Sequence, residues 1–400
     1  MTKLEQLIEE LCPNGVEYRT LNTICNVYDG THQTPQYTDS GIKFASVENI
    51  ADPYATEKYI SVSDYEKYKI KPQRNDLLMT RIGSIGVCTV IESDEPLAYY
   101  VSLALLRPDN SILNSKYLKY AIESLHCRKE LRKRTLVNAV PIKINMGDIG
   151  KITIPIPPLP VQEEIVRILD AFTELTAELT AELTARKQQF EYYREVLLNS
   201  KHGTPMVCLK DVVLNSCSGG TPTKGKSEFY EGGTIPWLRT QDVRFNEIFE
   251  INSFITEEAV KKTAAKWIPA NCVIVAISGA TAGRCAINKI PTTTNQHCLN
   301  MEIDSSKALY KYVFYCVCSR YDELLSRKQG ARGDLNSSLI LSLTIPLPPL
   351  EEQQRIVAIL DRFDTLCNDI SAGLPAEIEA RQKQYKYYRD KLLTFKELNT

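Results

Sequence analysis

No two of the twelve cysteines in this 400-residue chain form a Cys-x-x-Cys pair. The one close pair, Cys316 and Cys318, has no histidine beside it, and only four histidines are present: His32, His126, His202 and His297. The ligand spacing of a structural zinc site is missing. The thiols read as small buried hydrophobes of a reducing cytosol. No apolar run approaches the roughly 18 residues that cross a bilayer, so no membrane contact and a cytoplasmic location are expected. The opening MTKLEQLIEE lacks a basic segment followed by an apolar one, and it is not expected to act as a signal peptide. A large charge of one sign is absent as well, with 48 Lys and Arg against 49 Asp and Glu. That excludes a protein that coats itself in nucleic acid, but not one with local basic surfaces.

Catalytic signatures are missing too. ADPY at 51–54 lacks the second proline of an amino-methyltransferase motif, and neither GSIG (83–86) nor GATAG (279–283) makes a dinucleotide fingerprint. There is no carboxylate–lysine nuclease cluster and no helicase motif. Residues 220–227, GTPTKGKS, do satisfy the phosphate-loop pattern through Gly220, Gly225, Lys226 and Ser227. That chemistry needs a long helix directly after the loop, and Gly232, Gly233 and Pro236 prevent one. A glycine–threonine turn approaching a DNA backbone is the better reading.

What the chain has is a duplication. ITIPIPPLP at 152–160 matches LTIPLPPLE at 343–351, and QEEIVRILDAFTEL (162–175) matches QQRIVAILDRFDTL (353–366), both at an offset of 191. RKQQFEYYREVLL (186–198) matches RQKQYKYYRDKLL (381–393) at an offset of 195, so the second copy has four extra residues. Fainter matches lie upstream: 15–25 with 203–213, 41–50 with 234–243, and 76–91 with 272–287. The repeated unit is a variable domain, a proline turn and a helix. The boundaries read as a first domain 1–151, turn and helix 152–202, a second domain 203–342, and turn and helix 343–400.

Prolines fix φ and donate no hydrogen bond, so each proline run reads as an extended connector entering a helix. Residues 161–200 contain no glycine or proline. Ile165, Ile168, Leu169, Phe172, Leu175, Leu179 and Leu183 follow helical steps. Forty residues would span roughly 60 Å, the length of a strut. Its centre repeats TAEL at 176–179 and 180–183, which is either helical filler or an adjustable spacer, and the two are compatible. The second copy offers Ile356, Ile359, Leu360, Phe363, Leu366 and Ile370, then breaks near Gly373 and Pro375 and restarts at about 376. Two such faces would pack together, most simply antiparallel. Tyr192–Tyr193–Arg194 and Tyr387–Tyr388–Arg389 end the two copies, as core packing or as a docking surface.

The variable domains mix short β segments (KFASVENI, VCTVI, CVIVAIS) with helical stretches such as SKYLKYAIESLHCRKELRKR. The fold class is therefore α+β: two α/β-type domains separated by two long antiparallel repeated helices in a pseudo-twofold repeat. Residues 16–150 hold 17 basic against 16 acidic residues, net +1, and residues 203–342 hold 16 against 13, net +3. Arg128, Lys129, Arg132, Lys133 and Arg134 form the densest basic patch. This is either a solvated helix face or, beside the loop NAVPIKIN, a phosphate contact.

Two dissimilar domains, each followed by I-P-[IL]-P-P-L, a glutamine-containing helix opening and I-L-D-x-F, resemble the specificity (S) subunits of bacterial and archaeal type I restriction–modification enzymes. KLEQLIEELCPNGVEYRTL and GGTPTKGKSEFYEGGTIPWLRTQDV are also similar to that family. The resemblance implies two target-recognition domains, each reading half of a split site on double-stranded DNA. It also implies that the helices set the spacing and dock two modification subunits. S-adenosylmethionine would sit on those partners, restriction subunits would add ATP- and Mg-dependent work, and this chain would be non-catalytic and carry no cofactor. Base readers are expected among loop residues able to pair with base edges. In the first domain these are Thr31, His32, Gln33, Arg81, Lys143 and Asn145. In the second they are Thr221, Thr223, Lys224, Arg239, Gln241, Arg284, Asn295, Gln296, His297, Arg332 and Asn336. The alternative is a stand-alone DNA-binding scaffold or regulator without methyltransferase partners.

Overall fold

The computed structural model describes residues 1–199, 203–327, 334–369 and 371–398. Among them are seven helices of nine or more residues: α1 (Lys3–Leu11), α2 (Ser115–Glu123), α3 (Leu125–Arg134), α4 (Leu159–Leu198), α5 (Tyr310–Ser319), α6 (Leu350–Asn368) and α7 (Leu374–Leu392). The chain divides into two compact units, Met1–Thr180 with Glu377–Thr400, and Ala181–Ala376. The divide passes inside α4 and inside α7, so each unit holds a sheet domain and its own share of helix.

α4 runs unbroken for 40 residues, as the lack of glycine and proline predicts. In unit 1 its Val161, Ile165 and Leu169 are buried at helical spacing. Phe172 stacks on Tyr388 of α7 with ring centroids 5.5 Å apart. In unit 2, Phe363 of α6 stacks on Phe190 and Tyr193 at 6.1 and 5.5 Å, and Cys367 lies beside Lys187, an antiparallel pass. Leu175, Leu179, Leu183 and Leu366 are half-buried; Ile370 lies outside the described residues. The Tyr-Tyr-Arg clusters divide their roles. Tyr193 and Tyr388 pack, Arg389 is buried, and Tyr192 and Tyr387 are exposed. Between α6 and α7 the chain folds so tightly that a Cβ on Gly373 would sit 2.4 Å from the Thr365 carbonyl, which only glycine avoids.

Each unit carries two small sheets of the same plan. In unit 1 the first has the order Cys25–Asp29, Leu103–Pro108, Leu77–Thr80, Cys88–Val90, all antiparallel. In unit 2 the corresponding order is Val213–Ser218, Cys298–Ile303, Val273–Ala276, Cys285–Asn288, extended by the parallel edge strand Asn246–Ile248. The second sheet of each unit is built on one parallel pair, Ile42–Ala45 with Leu97–Tyr99 and Ile235–Leu238 with Thr292–Thr294. The faint sequence matches at 41–50 and 76–91 thus join equivalent strands. The proline runs are extended and enter helices as expected, and each is also paired with a second strand. Thr153–Ile156 pairs with Glu17–Thr20, and Thr344–Pro346 with Met206–Cys208. A proline is tolerated in such two-stranded ribbons because its missing donor falls on an edge.

The frame joining each sheet domain to its helix is also repeated, side chain by side chain. Gln162 is wholly buried; its Oε1 accepts from the Asn114 amide at 2.9 Å, and its Nε2 donates to the Ile112 and Pro157 carbonyls at 2.8 and 2.7 Å. Gln353, equally buried, accepts from the Leu309 amide at 2.9 Å and donates to the Lys307 and Pro348 carbonyls. Tyr117 donates to the Pro155 carbonyl and Tyr312 to that of Pro346. Lys116 and Tyr120 hold Asp170, as Lys311 and Tyr315 hold Asp361. Each proline turn is thereby clasped between sheet domain and long helix.

Candidate nucleic-acid interface

The candidate readers of unit 1 gather where four loops are laced by backbone hydrogen bonds. The Thr31 amide donates to the Tyr99 carbonyl, that of Val101 to Thr31, that of Arg81 to Ser102, and that of Ile144 to Arg81. Gly30 makes the first crossing possible, since a Cβ there would lie 2.4 Å from the Tyr100 carbonyl. Unit 2 repeats the lacing. Gly220 donates to Thr294, Ile277 to His297, and Leu335 to Ile277, with Gly219 as tightly placed against Thr294. Asn145 and Asn336 follow the last crossing in each unit and are exposed; Asn336 caps a short helix through the Leu339 amide.

Side chains on this shared backbone differ. In unit 1, Arg81 is only 7% exposed. Its guanidinium bonds both Asp29 oxygens at 3.2 and 3.1 Å and the carbonyls of Val101 and Ile144 at 3.0 and 3.1 Å. Sequence reasoning placed Arg81 among base readers, but these contacts give it the geometry of an internal brace. His32 Nε2 meets Asp29 Oδ2 at 2.9 Å, while Thr31 is half-buried and Gln33 exposed. Burial, with the Asp29 carboxylate adding to it, pushes the Tyr99 hydroxyl far up; it stays protonated and donates to the Asp29 carbonyl at 3.0 Å.

In unit 2 the place of Arg81 is taken by Ile277, and among the described residues no arginine braces the loops in this way. Thr221 bonds Gln296, whose Nε2 lies 3.1 Å from His297 Nε2. Thr223 and Lys224 are exposed on the same glycine loop. Asn295 is buried, its Oδ1 accepting from the His297 amide. Its own amide donates to the Leu238 carbonyl, which brings in Arg239. Arg239 lies over the Trp237 ring at 5.9 Å, and its Nε is buried without a partner among the described residues. Gln241 is exposed in the short turn Thr240–Asp242, and Arg284 is half-buried at the strand-end turn. Arg332 lies outside the described residues. The GTPTKGKS segment leads into a single 3-10 turn, Ser227–Phe229, instead of the helix a phosphate loop requires.

The basic patch sits on α3. Cys127 and Leu131 are buried, while Arg128, Lys129, Arg132 and Lys133 are exposed. Glu130 pairs with Lys133 at 2.9 Å and with Arg134. Arg128, Lys129 and Arg132 have no carboxylate within ion-pair distance among the described residues. Leu131 packs so close to Gly86 that a Cβ there would lie 2.6 Å from it, which ties α3 to the turn after Arg81. Lys143, exposed, bridges to both Leu136 and Ile82.

Sequence reasoning missed Asp29, the hub of the unit 1 brace. It also missed the glutamine and tyrosine clasps, although glutamine near each helix start and the repeated K-Y-x-x-Y spacing (116–120 and 311–315) were visible signals. Ten of the twelve thiols are buried, and Cys208 and Cys217 are half-buried. Burial pushes Cys25, Cys127, Cys272, Cys298 and Cys316 up to about 12. No cluster of metal-ligating side chains is found among the described residues, and no helix among them is long and apolar enough to cross a membrane.

Comparison with known proteins gives a consistent picture. The family described as "Type I restriction modification DNA specificity domain" matches residues 13–186 and again 203–380. The specificity subunit of the type I restriction enzyme EcoR124I/EcoR124II of Escherichia coli is 43% identical over 256 residues, which are 61% of this chain and 63% of that protein. A putative type I restriction enzyme specificity subunit of Haemophilus influenzae is 36% identical over 271 residues, 63% of this chain and 66% of that protein. The chain thus matches just under two thirds of the length of these relatives. A crystal structure of the S subunit of a type I restriction–modification system from M. genitalium superposes with a TM-score of 0.57 at 14% identity, covering 95% of this chain and 96% of that one. The HsdS subunit of Thermoanaerobacter tengcongensis does so with a TM-score of 0.52 at 15% identity, covering 96% and 98%. These likenesses establish the fold.

Proposed function

The chain belongs to the type I restriction–modification DNA-specificity family, and on that premise we propose that it supplies the DNA address of such an enzyme. Each sheet domain reads one half of a split site on double-stranded DNA. The observation that carries this reading is the laced four-loop platform, present in both units with one backbone plan and different side chains. A shared backbone with divergent side chains is what two readers of different sequences need. Exposed Lys and Arg hold phosphates, and loop amides and cations meet base edges.

The repeated helices would set the distance between the half-sites and dock two modification subunits, with exposed Tyr192 and Tyr387 as candidate contacts. Modification subunits would bind S-adenosylmethionine, and restriction subunits would bring ATP and Mg. The chain itself would perform no chemistry. The test is methylation of plasmid DNA by modification subunits expressed with and without this chain. Methyl transfer is expected only when the chain is present, and none by the chain alone. Transfer that ignores the chain, or subunits that do not associate with it, would favour a stand-alone DNA binder.

A further inference from the structure

The loop between α3 and the last lacing crossing, at Ile144, has an unusual surface. Val140 is 100% exposed, Val137 64%, Leu136 43% and Ile142 38%. Four branched apolar side chains thus face solvent within seven residues that contain no charge. Its base is pinned. The Leu136 amide donates to the Lys143 carbonyl at 2.7 Å, Gly83 to Ile142 at 2.9 Å, and Ile144, wholly buried, to Arg81 at 3.0 Å. The result is a loop of turns and bends, closed at its root by the single Leu136–Lys143 bridge and apolar at its exposed tip.

On the reading of this chain as a DNA reader, we infer that the loop Leu136–Ile142 enters the major groove and recognises thymine through its 5-methyl group, with Val137 and Val140 as the specificity-determining residues. Charge chooses the partner. Arg128, Lys129, Arg132 and Lys133 of the preceding helix and Lys143 at the root flank the tip, and the one acid among them, Glu130, is already ion-paired. An apolar tip between two cation-bearing segments suits a polyanion that offers an apolar group between its charges. Width chooses the groove, since the major groove, about 12 Å across, has room for a loop whose chain doubles back on itself and the minor groove, about 6 Å, does not. Chemistry chooses the base. Asn138 is the only polar side chain in the loop, and the one apolar group on major-groove edges is the thymine methyl.

The test uses the full chain assembled with its modification subunits and duplexes carrying its mapped modification sequence. The half-site read by the first domain is made once with thymine and once with deoxyuracil, which lacks the methyl. Affinity should fall about fourfold for each contacted methyl removed. Val140→Ala should bind the thymine probe more weakly, leave the deoxyuracil probe unchanged, and so lose the discrimination; the side chain is fully exposed, so folding is not at risk. Equal affinity of the unaltered protein for both probes overturns the inference while leaving DNA reading intact. So does a Val140→Ala variant that weakens both probes alike, which would indicate insertion between base pairs. Failure to prefer the mapped sequence over random duplex would overturn the underlying function instead.

Discussion

Replacing Gln162 with leucine keeps the size of the side chain but removes three hydrogen bonds from a site with no exposed surface. The Asn114 amide then has no acceptor, and a buried unpaired donor costs about 1–3 kcal/mol. The Ile112 and Pro157 carbonyls lose a donor each, at a smaller cost because a carbonyl oxygen has a second lone pair to satisfy. Against this, leucine escapes the desolvation that burying an amide requires. The balance is a loss of about 2–4 kcal/mol from unit 1. For a unit of this size each kcal/mol moves the melting midpoint by about 2–4 °C, so scanning calorimetry should show a drop of about 4–16 °C. Gln353→Leu should act on unit 2 by a similar amount, because its three partners correspond one to one. Gln188→Leu, on an exposed face of α4, is the control and should change little. A Gln162→Leu variant that melts within a degree or two of that control would refute the claim that the glutamine clasps hold the frame.

Inserting a third Thr-Ala-Glu-Leu after Leu183 adds about 6 Å to α4 and turns its continuation by about 40°. Methylation mapping should show the unspecified gap longer by about one or two base pairs with both half-sites unchanged; an unaltered gap would end the spacer reading. Glu164 is held down at about 2, first by its hydrogen bond to Arg167 and then by Lys3. Its folded value lies below the usual carboxylate value of about 4.3, so its contribution to stability is present above that pH and is lost as pH falls towards 2. Glu164→Gln should therefore lower the urea midpoint at pH 6 and converge with the parent near pH 2–3, and a difference that stays constant would show another origin. A disulfide reagent at neutral pH should titrate at most Cys208 and Cys217 in the folded chain and all twelve thiols after denaturation; fast reaction of the buried thiols would contradict the packing.

Much of the frame could be read from the sequence because its signals are local. The continuous helix follows from a glycine- and proline-free stretch, and the break before α7 from Gly373 and Pro375. The duplication revealed equivalent strands even where side chains had diverged. What stayed hidden depends on residues distant in sequence. Pro155 could be recognised as a strand residue only through Tyr18, its partner across the ribbon. Arg81 looked like an exposed reader because its partner Asp29 lies 52 residues away. The segment around Val137 and Val140 was legible as a loop, but a sequence does not say which apolar loop residues project into solvent. The basic face of α3 was legible because charge and helical spacing coincide within one segment.

The central claim is that two independent readers share one frame. Exchanging residues 203–342 for the corresponding segment of another family member and sequencing the host methylome tests it directly. The account predicts a split motif in which one half-site changes while the other half-site and the gap are retained. Alteration of both half-sites, or of neither, would contradict it.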